Sequence, residues 1–369
     1  MRIAVSGYTE DEIMAALHNE ERHDLFKYEL LGRNLQYKHD LTTVVQASIQ
    51  YNSNDSITRT ARFLMRDEAV DYLSCRIRPV FMLKMPDGGF AKWPLGVFVL
   101  ATPQRNDSAQ GVTRDIEAYD LNIVLKNDGL RERVFFPAGT FYTDAARSLI
   151  VAAGVSTANV PHSELRMGGG VEFEVGRDRL AAINELLAAI NYVPLFPDEL
   201  GVYTTYYNRE PQRSDIAYRY LMDDSSVIKP NTTVESVDYF NVPNRFIAYT
   251  SSPNVPSLMS VWENNDPLSL LSTRNRDTVT VTQEIADIAN QSELDKYVQD
   301  WAREAMQVPY TVSFETALMP FHGHRDMYQF SNDKLNINDT FREISWEMDL
   351  SAGGSMTHTA RRVPWQTLL

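Results

Sequence analysis

Cysteine is nearly missing from this chain: Cys75 is the one thiol in 369 residues. A single thiol closes no intrachain disulfide and builds no four-cysteine zinc site, so stability has to come from packed cores, and folding in a reducing compartment is the expectation. Long apolar runs are missing too. No stretch approaches the roughly 20 apolar residues of a membrane span, and Met1–Ser6 is too short an apolar run for a signal peptide, so no membrane insertion by the chain itself is expected. Cationic residues are scarce: 35 Lys and Arg face 49 Asp and Glu, a formal charge of −14. An acidic surface repels phosphates and argues against sequence-specific nucleic-acid binding. It does suit a wall past which nucleic acid slides without sticking. Catalytic signatures are also lacking. The chain has no Gly-x-Ser-x-Gly elbow. Gly168-Gly169-Gly170 is followed by the strand-like, acidic Val171–Val175, with no lysine at phosphate-loop spacing, and reads as a loop.

What is present is ordinary globular material, 43% hydrophobic and 23% charged, long enough for two or three cores. Its organising stretch runs from Leu41 to Asp120. Val45, Ala47, Ile49 and Tyr51 alternate with Gln46, Ser48 and Gln50. Beyond the turn-rich Asn52–Ser56, Ile57, Ala61, Phe63 and Met65 share one face, and Thr58, Thr60, Arg62 and Arg66 the other. A period of two means a sheet with one buried and one wet face, and two such runs across a polar turn make an antiparallel hairpin. Further strands are expected at Arg76–Met85, Phe90–Thr102 and Gly111–Asp120, with Pro86-Asp87-Gly88-Gly89 as a turn. Pro79 and Pro94 fall inside strand patterns and belong on edges or bulges, because proline cannot donate to a ladder.

Before this module, Thr9 and Glu12 fit a capping box ahead of a short helix carrying Ile13, Met14 and Leu17. After it the period lengthens. Helices are expected at Thr143–Ala153, stopped by Gly154, and at Asp178–Asn191, with a hairpin from Tyr192 to Tyr207. From Asn208 strands return: Thr233–Phe240, Arg245–Thr250, Met259–Glu263, Thr311–Ala317, Met327–Phe330 and Arg342–Leu350. One helix, Ser292–Met306, interrupts them. In the last strand Ile344, Trp346, Met348 and Leu350 alternate with Glu343, Ser345, Glu347 and Asp349. The segment 351–369 reads as a tail that is mobile or ordered only by a partner. The division is therefore an N-terminal helical arm (1–24), a first β module (25–125), an α/β insert with its own small core (126–208), a second β module with a peripheral insertion (209–350) and a tail (351–369). The fold class is α+β, mainly β.

Few residues tempt a chemical reading. His322-Gly323-His324-Arg325-Asp326 offers two imidazoles and a carboxylate, but it lies in a turn after Pro320, with no other histidine-rich stretch to finish a shell, and the loop reading is preferred. Cys75 beside Arg76 and near Arg78 could be an activated thiol; its strand context favours a packed bystander. Glu172 and Glu174 read as a solvated strand face. Arg59, Arg62 and Arg66 form a stripe better suited to ion pairs between subunits than to phosphate. Among the tryptophans, Trp262 and Trp365 stay open as carbohydrate platforms. No catalytic, cofactor-binding or metal residue is assigned, and the interface residues stay unassigned.

Several phrases, in order, resemble the baseplate or tail-tip hub proteins of tailed bacteriophages and the N-terminal hub part of tail-associated lysins. They are Lys27–Leu31, Thr58–Arg66 with Val70–Leu73 and Arg76–Pro79, Pro94–Phe98, Val242–Phe246 with Glu263–Pro267, and Phe314–Thr316 with Pro320. The resemblance implies two tube-type antiparallel β-barrel domains flanking the insert, at 25–125 and 209–350, and a homotrimer that matches a sixfold tube to a threefold spike. It implies a place in the virion tail, partners such as a distal tail ring or tail tube and a spike, fibre or tape-measure protein, transient DNA passage on ejection, no cofactor and no enzymatic activity. The alternatives are a tail-tip peptidoglycan hydrolase and a receptor- or carbohydrate-binding baseplate module.

Overall fold

The computed structural model describes residues 7–19, 21–68, 70–109, 111–155, 157–209, 211–221, 227–229, 231–250, 258–285, 290–306 and 310–363. By its contacts the chain divides into two units. Unit 1 comprises Met1–Thr233 and Ser313–Ala360; unit 2 comprises Val234–Val312 and Arg361–Leu369.

Unit 1 opens on helix α1 (Glu10–Leu17), which the capping box starts as expected: Thr9 N donates to Glu12 Oε2 at 2.8 Å and Glu12 N donates to Thr9 Oγ1 at 3.4 Å. Eight strands follow: β1 (Asp24–Gly32), β2 (Tyr37–Leu41), β3 (Val44–Asn52), β4 (Arg59–Arg66), β5 (Cys75–Lys84), β6 (Phe90–Pro94), β7 (Phe98–Ser108) and β8 (Gly111–Asp120). Every pairing among them is antiparallel, as hairpin connections require. Residues 72–74 form a turn in which Asp71 accepts from the Leu73 and Ser74 amides. Pro79 lies within β5, which has neighbours on both sides, rather than on an edge. It is tolerated because β5 changes partner there, from β7 at Arg76 and Ile77 to β6 from Val80 onward. No amide is wanted at that step, and the Pro79 carbonyl accepts from Leu95 N at 2.9 Å.

The insert holds α2 (Asn122–Asn127), β9 (Val134–Phe136), α3 (Tyr142–Ala152), β10 (Ala158–Asn159), β11 (Val171–Phe173), α4 (Arg179–Ala188), β12 (Phe196–Pro197) and β13 (Tyr203–Thr204). Helices α3 and α4 are legible from their stripes, and Leu149, Ile150, Leu180, Ile183 and Leu187 are buried. Their core is not private, however. It is continuous with Leu31, Val97 and Leu121 of the β module. Gly201, at φ +85°, sets its backbone so close to Leu35, Val97 and Leu121 that an added Cβ would stand 3.0–3.2 Å from them. The insert's hairpin is seated there.

The remaining elements are β14 (Ile216–Leu221), β15 (Val234–Val237), β16 (Arg245–Tyr249), β17 (Met259–Glu263), β18 (Thr280–Glu284), α5 (Gln291–Ala305), β19 (Tyr310–Ala317), β20 (Met327–Asn332), β21 (Ile337–Asp349) and β22 (Ser355–Arg362). In unit 2, β17 pairs antiparallel and β18 parallel with β16. Helix α5 packs Leu294, Val298 and Ala302 against Phe246 and Ala248, with Trp301 edge-on to Phe246 at 5.1 Å.

One pairing governs unit 1. Strand β21 pairs with β20 through Arg342 and with β3 from Ser345, so the C-terminal strands and the first module share a sheet in the order β19-β22-β21-β3-β4-β8-β7-β5-β1-β2. At the join Tyr51 faces Trp346, ring on ring at 5.5 Å, the kind of cross-strand pair that fixes register. The order has two ends, and no barrel closes among the described residues. The fold is mainly β and mainly antiparallel. The segment read as a mobile or partner-ordered tail is corrected: Ser355–Arg362 is a strand whose Met356, His358 and Ala360 alternate into the core.

Candidate functional site

Among the described residues, the most concentrated chemistry sits where β21 changes partners. Along β21 the buried parity switches. Phe341 and Glu343 face inward on one side of the change; Trp346 and Met348 face inward on the other. A simple alternation from Arg342 to Leu350 puts Glu343 outside, and this is where it fails. Glu343 is fully buried. Strand β22 brings His358 beside it, and the turn after Met319 brings His322.

The three side chains meet closely. His358 Nδ1 lies 3.1 Å and His322 Nδ1 3.2 Å from Glu343 Oε2, and one ligating atom from each falls within 4.8 Å of the other two. On the far sides, His322 Nε2 is 2.5 Å from the Tyr220 hydroxyl and His358 Nε2 is 3.0 Å from Thr316 Oγ1. The Thr316 hydroxyl donates to the Ala317 carbonyl at 2.7 Å, so toward His358 it accepts. That places the His358 proton on Nε2 and turns the Nδ1 lone pair to Glu343. Tyr328 OH reaches Glu343 Oε1 at 3.5 Å. Around the cluster stand Phe314, Tyr220 and Tyr328, all buried.

Burial sets the protonation. Desolvation pushes the Glu343 carboxyl up to about 8, which its neighbour His322 partly opposes and the charge of Asp326 reinforces. The same desolvation pulls both imidazoles down to about 3. The preferred state is two neutral histidines beside a neutral acid. One acid proton serves one imidazole. His358 has hydrogen-bond geometry to Glu343, while His322 Nδ1, close as it is, makes no hydrogen bond.

His324, the other half of the His-x-His pair, goes elsewhere. It stacks on Phe196 at 3.9 Å, and its Nδ1 lies 2.9 Å from the Tyr51 hydroxyl. Gly323 between them sits close to Asp326, whose Oδ1 would stand 2.9 Å from an added Cβ and would have to shift. So the loop delivers one ligand to the cluster, not three. The alternation of Met356, His358 and Ala360 in β22 is the one signal that could have found a partner; Glu343 is placed by the pairing of β21.

The other candidates resolve simply. Arg59, Arg62 and Arg66 are not one stripe. Arg59 shares the inward face with Ala61 and Phe63 and is fully buried, paired with Glu199 and the Pro197 carbonyl of the insert. Arg62 is exposed and pairs with Asp115, its Nε at 2.8 Å. Cys75 is buried, with Lys38 Nζ 3.2 Å from its sulfur. Arg133 bridges Glu172 and Glu174 at 2.8 and 3.1 Å on an open surface. Gly168 and Gly169 form a bend before β11. Trp262 packs edge-on to Phe246 at 6.0 Å within the unit 2 core, and Trp365 lies outside the described residues.

No family model matches this sequence, and no curated protein matches it either. Its fold, by contrast, has solved counterparts. A tail protein from Neisseria meningitidis MC58 superposes with a TM-score of 0.61 at 12% identity, covering 92% of this chain and 97% of the other. The 43 kDa tail protein of prophage MuSo2 from Shewanella oneidensis gives 0.64 at 9% identity, with 92% and 98% covered. A chain of the Francisella PdpA–VgrG complex gives 0.61 at 8% identity, with 93% and 58% covered. The chain shares the fold of these tail proteins and of the VgrG-complex chain.

Proposed function

We propose, from that shared fold, that this protein is a structural subunit of a phage or prophage tail tip: a baseplate hub of the virion tail. One observation carries the reading. The similarity runs nearly end to end in both directions, 92% of this chain against 97% and 98% of two tail proteins of similar size, so the architecture as a whole is held in common rather than one reusable module.

In this reading the chain works by matching surfaces between copies. Three subunits close a ring, two tube-type β domains per subunit give six similar walls around one axis, and the ring joins a sixfold tube to a threefold spike. The open strand order supports it. Strand β2 pairs only with β1 among the described residues, which leaves an edge for a neighbour to cover. The charge of −14 fits a channel that DNA traverses without adhering. The domain ranges 25–125 and 209–350 remain the proposed tube domains, with 126–208 outside them. Partners are a tail-tube or distal-tail ring on one side and a spike, fibre or tape-measure protein on the other.

Purified protein, alone or mixed with its tail partners, should form a species of about 126 kDa, three times the 42.1 kDa chain, as read by light scattering. An obligate interface large enough to hold such a ring buries on the order of 2,000 Å² or more. A 42 kDa monomer that persists at high concentration with the partners present contradicts the reading. A zymogram cleared by the protein favours the hydrolase alternative, and binding of labelled protein to host cells favours the receptor-binding one.

A further inference from the structure

We propose that His322, Glu343 and His358 form a three-ligand site for one divalent first-row transition-metal ion, a structural clamp inside unit 1, independent of the assembly reading. Two imidazole nitrogens and a carboxylate oxygen are the donor set of zinc, iron(II) and their neighbours, not of calcium or magnesium, which take oxygen ligands. The spacing fits. Ligands about 2.0–2.1 Å from a tetrahedral ion stand roughly 3.3 Å apart. The two histidine nitrogens lie 3.1 and 3.2 Å from the same carboxylate oxygen, and all three atoms fall within 4.8 Å of one another.

The hydrogen bonds are those of a ligand set. Metal-bound histidines commonly tie their other ring nitrogen to an oxygen, which fixes the tautomer. Here Tyr220 and Thr316 hold Nε2 of His322 and His358, and Thr316 has already given its proton to Ala317. Both Nδ1 atoms therefore converge on one carboxylate. Of the two, His322 Nδ1 is left buried without a hydrogen bond. A buried polar atom in that condition keeps its desolvation cost with nothing to offset it. A cation in the centre satisfies all three atoms at once.

The clamp would join three segments distant in sequence: the loop after Met319, β21 at its change of partner, and β22. Each contributes one ligand, so the bare sequence shows no metal motif.

The test uses the full chain. Protein stripped with chelator and desalted is incubated with zinc chloride, desalted again, and its metal content measured. A parallel sample takes cobalt(II) for its visible spectrum. The expected result is about one zinc per chain, d–d absorption from cobalt in a nitrogen–oxygen site, and a melting temperature several degrees higher with zinc. At zinc 100-fold above its Kd the folded-to-unfolded ratio rises about 100-fold. Glu343→Gln, which keeps the volume, and His358→Gln should lose the bound ion and the zinc-dependent shift together. Zinc well below one per chain with an unchanged melting temperature overturns the proposal. So does full zinc retention by Glu343→Gln, which would place the ion on surface histidines. The stoichiometry and cobalt spectrum of the unmodified chain decide the matter even if a variant does not fold.

Discussion

Arg59→Met is expected to destabilise unit 1 by about 3–5 kcal/mol, the scale seen when one partner of a buried ion pair is removed. Arg59 Nη1 donates to the Pro197 carbonyl at 2.8 Å, the guanidinium pairs with Glu199, and it lies 5.5 Å over the Tyr51 ring. Its side chain is 2% exposed and that of Glu199 14%. Burial pulls the Arg59 pKa down, but a guanidinium starts so high that it stays charged at neutral pH. The contact fastens β4 to the hairpin of the insert, so its loss removes a neutralising charge and a carbonyl's partner in one step. Methionine roughly conserves the volume and isolates the polar loss from a cavity. Glu199→Gln added to Arg59→Met should recover part of the cost, with a coupling of about 1–2 kcal/mol in a double-mutant cycle read by urea denaturation. A single-variant loss below about 1 kcal/mol would mean that the pair fastens nothing.

The second large effect is expected at Phe314. Its ring is fully buried on β19. It stacks on Phe330 at 4.4 Å, lies 5.0 Å from His358 and meets Tyr220 edge-on at 5.2 Å. Phe314→Ala should cost about 3–5 kcal/mol, transfer free energy plus the cavity left behind. Phe314→Leu, which keeps most of the volume, should cost about 1.5 kcal/mol or less. Denaturant midpoints of the two variants give the comparison. Equal losses would argue that the ring's contacts are polar or strained rather than packed. A small loss for alanine would show that the aromatic wall around the buried acid can collapse.

The chain disclosed its elements more readily than its connections. Local signals were enough for α1, where Thr9 and Glu12 cap each other. They were enough for the insert helices, whose leucine and isoleucine stripes are buried, and for β3 and β4, whose alternation survives in the burial pattern. What stayed hidden depends on long-range pairing. Nothing near Ser345 announces that β21 leaves β20 for β3, yet that step carries Glu343 inward. Strand β22 was overlooked because Gly353 and Gly354 precede it and its faces alternate threonine with methionine, histidine and alanine, a weak apolar contrast. Arg59 was grouped with Arg62 and Arg66 by residue type, although its parity already put it with Ala61 and Phe63. His322 was noticed, but its partners lie 21 and 36 residues further along the chain (322 to 343 and to 358), so only the fold assembles the cluster.

The account stands on one claim, that the protein acts by closing around an axis with copies of itself. Averaged electron micrographs of the purified oligomer, or of the particle's tail tip, viewed down that axis, test it most directly. The expected image is a ring with threefold symmetry and six similar density lobes around an open centre. A particle with no rotational symmetry, or a solitary protomer at every concentration used, would contradict it.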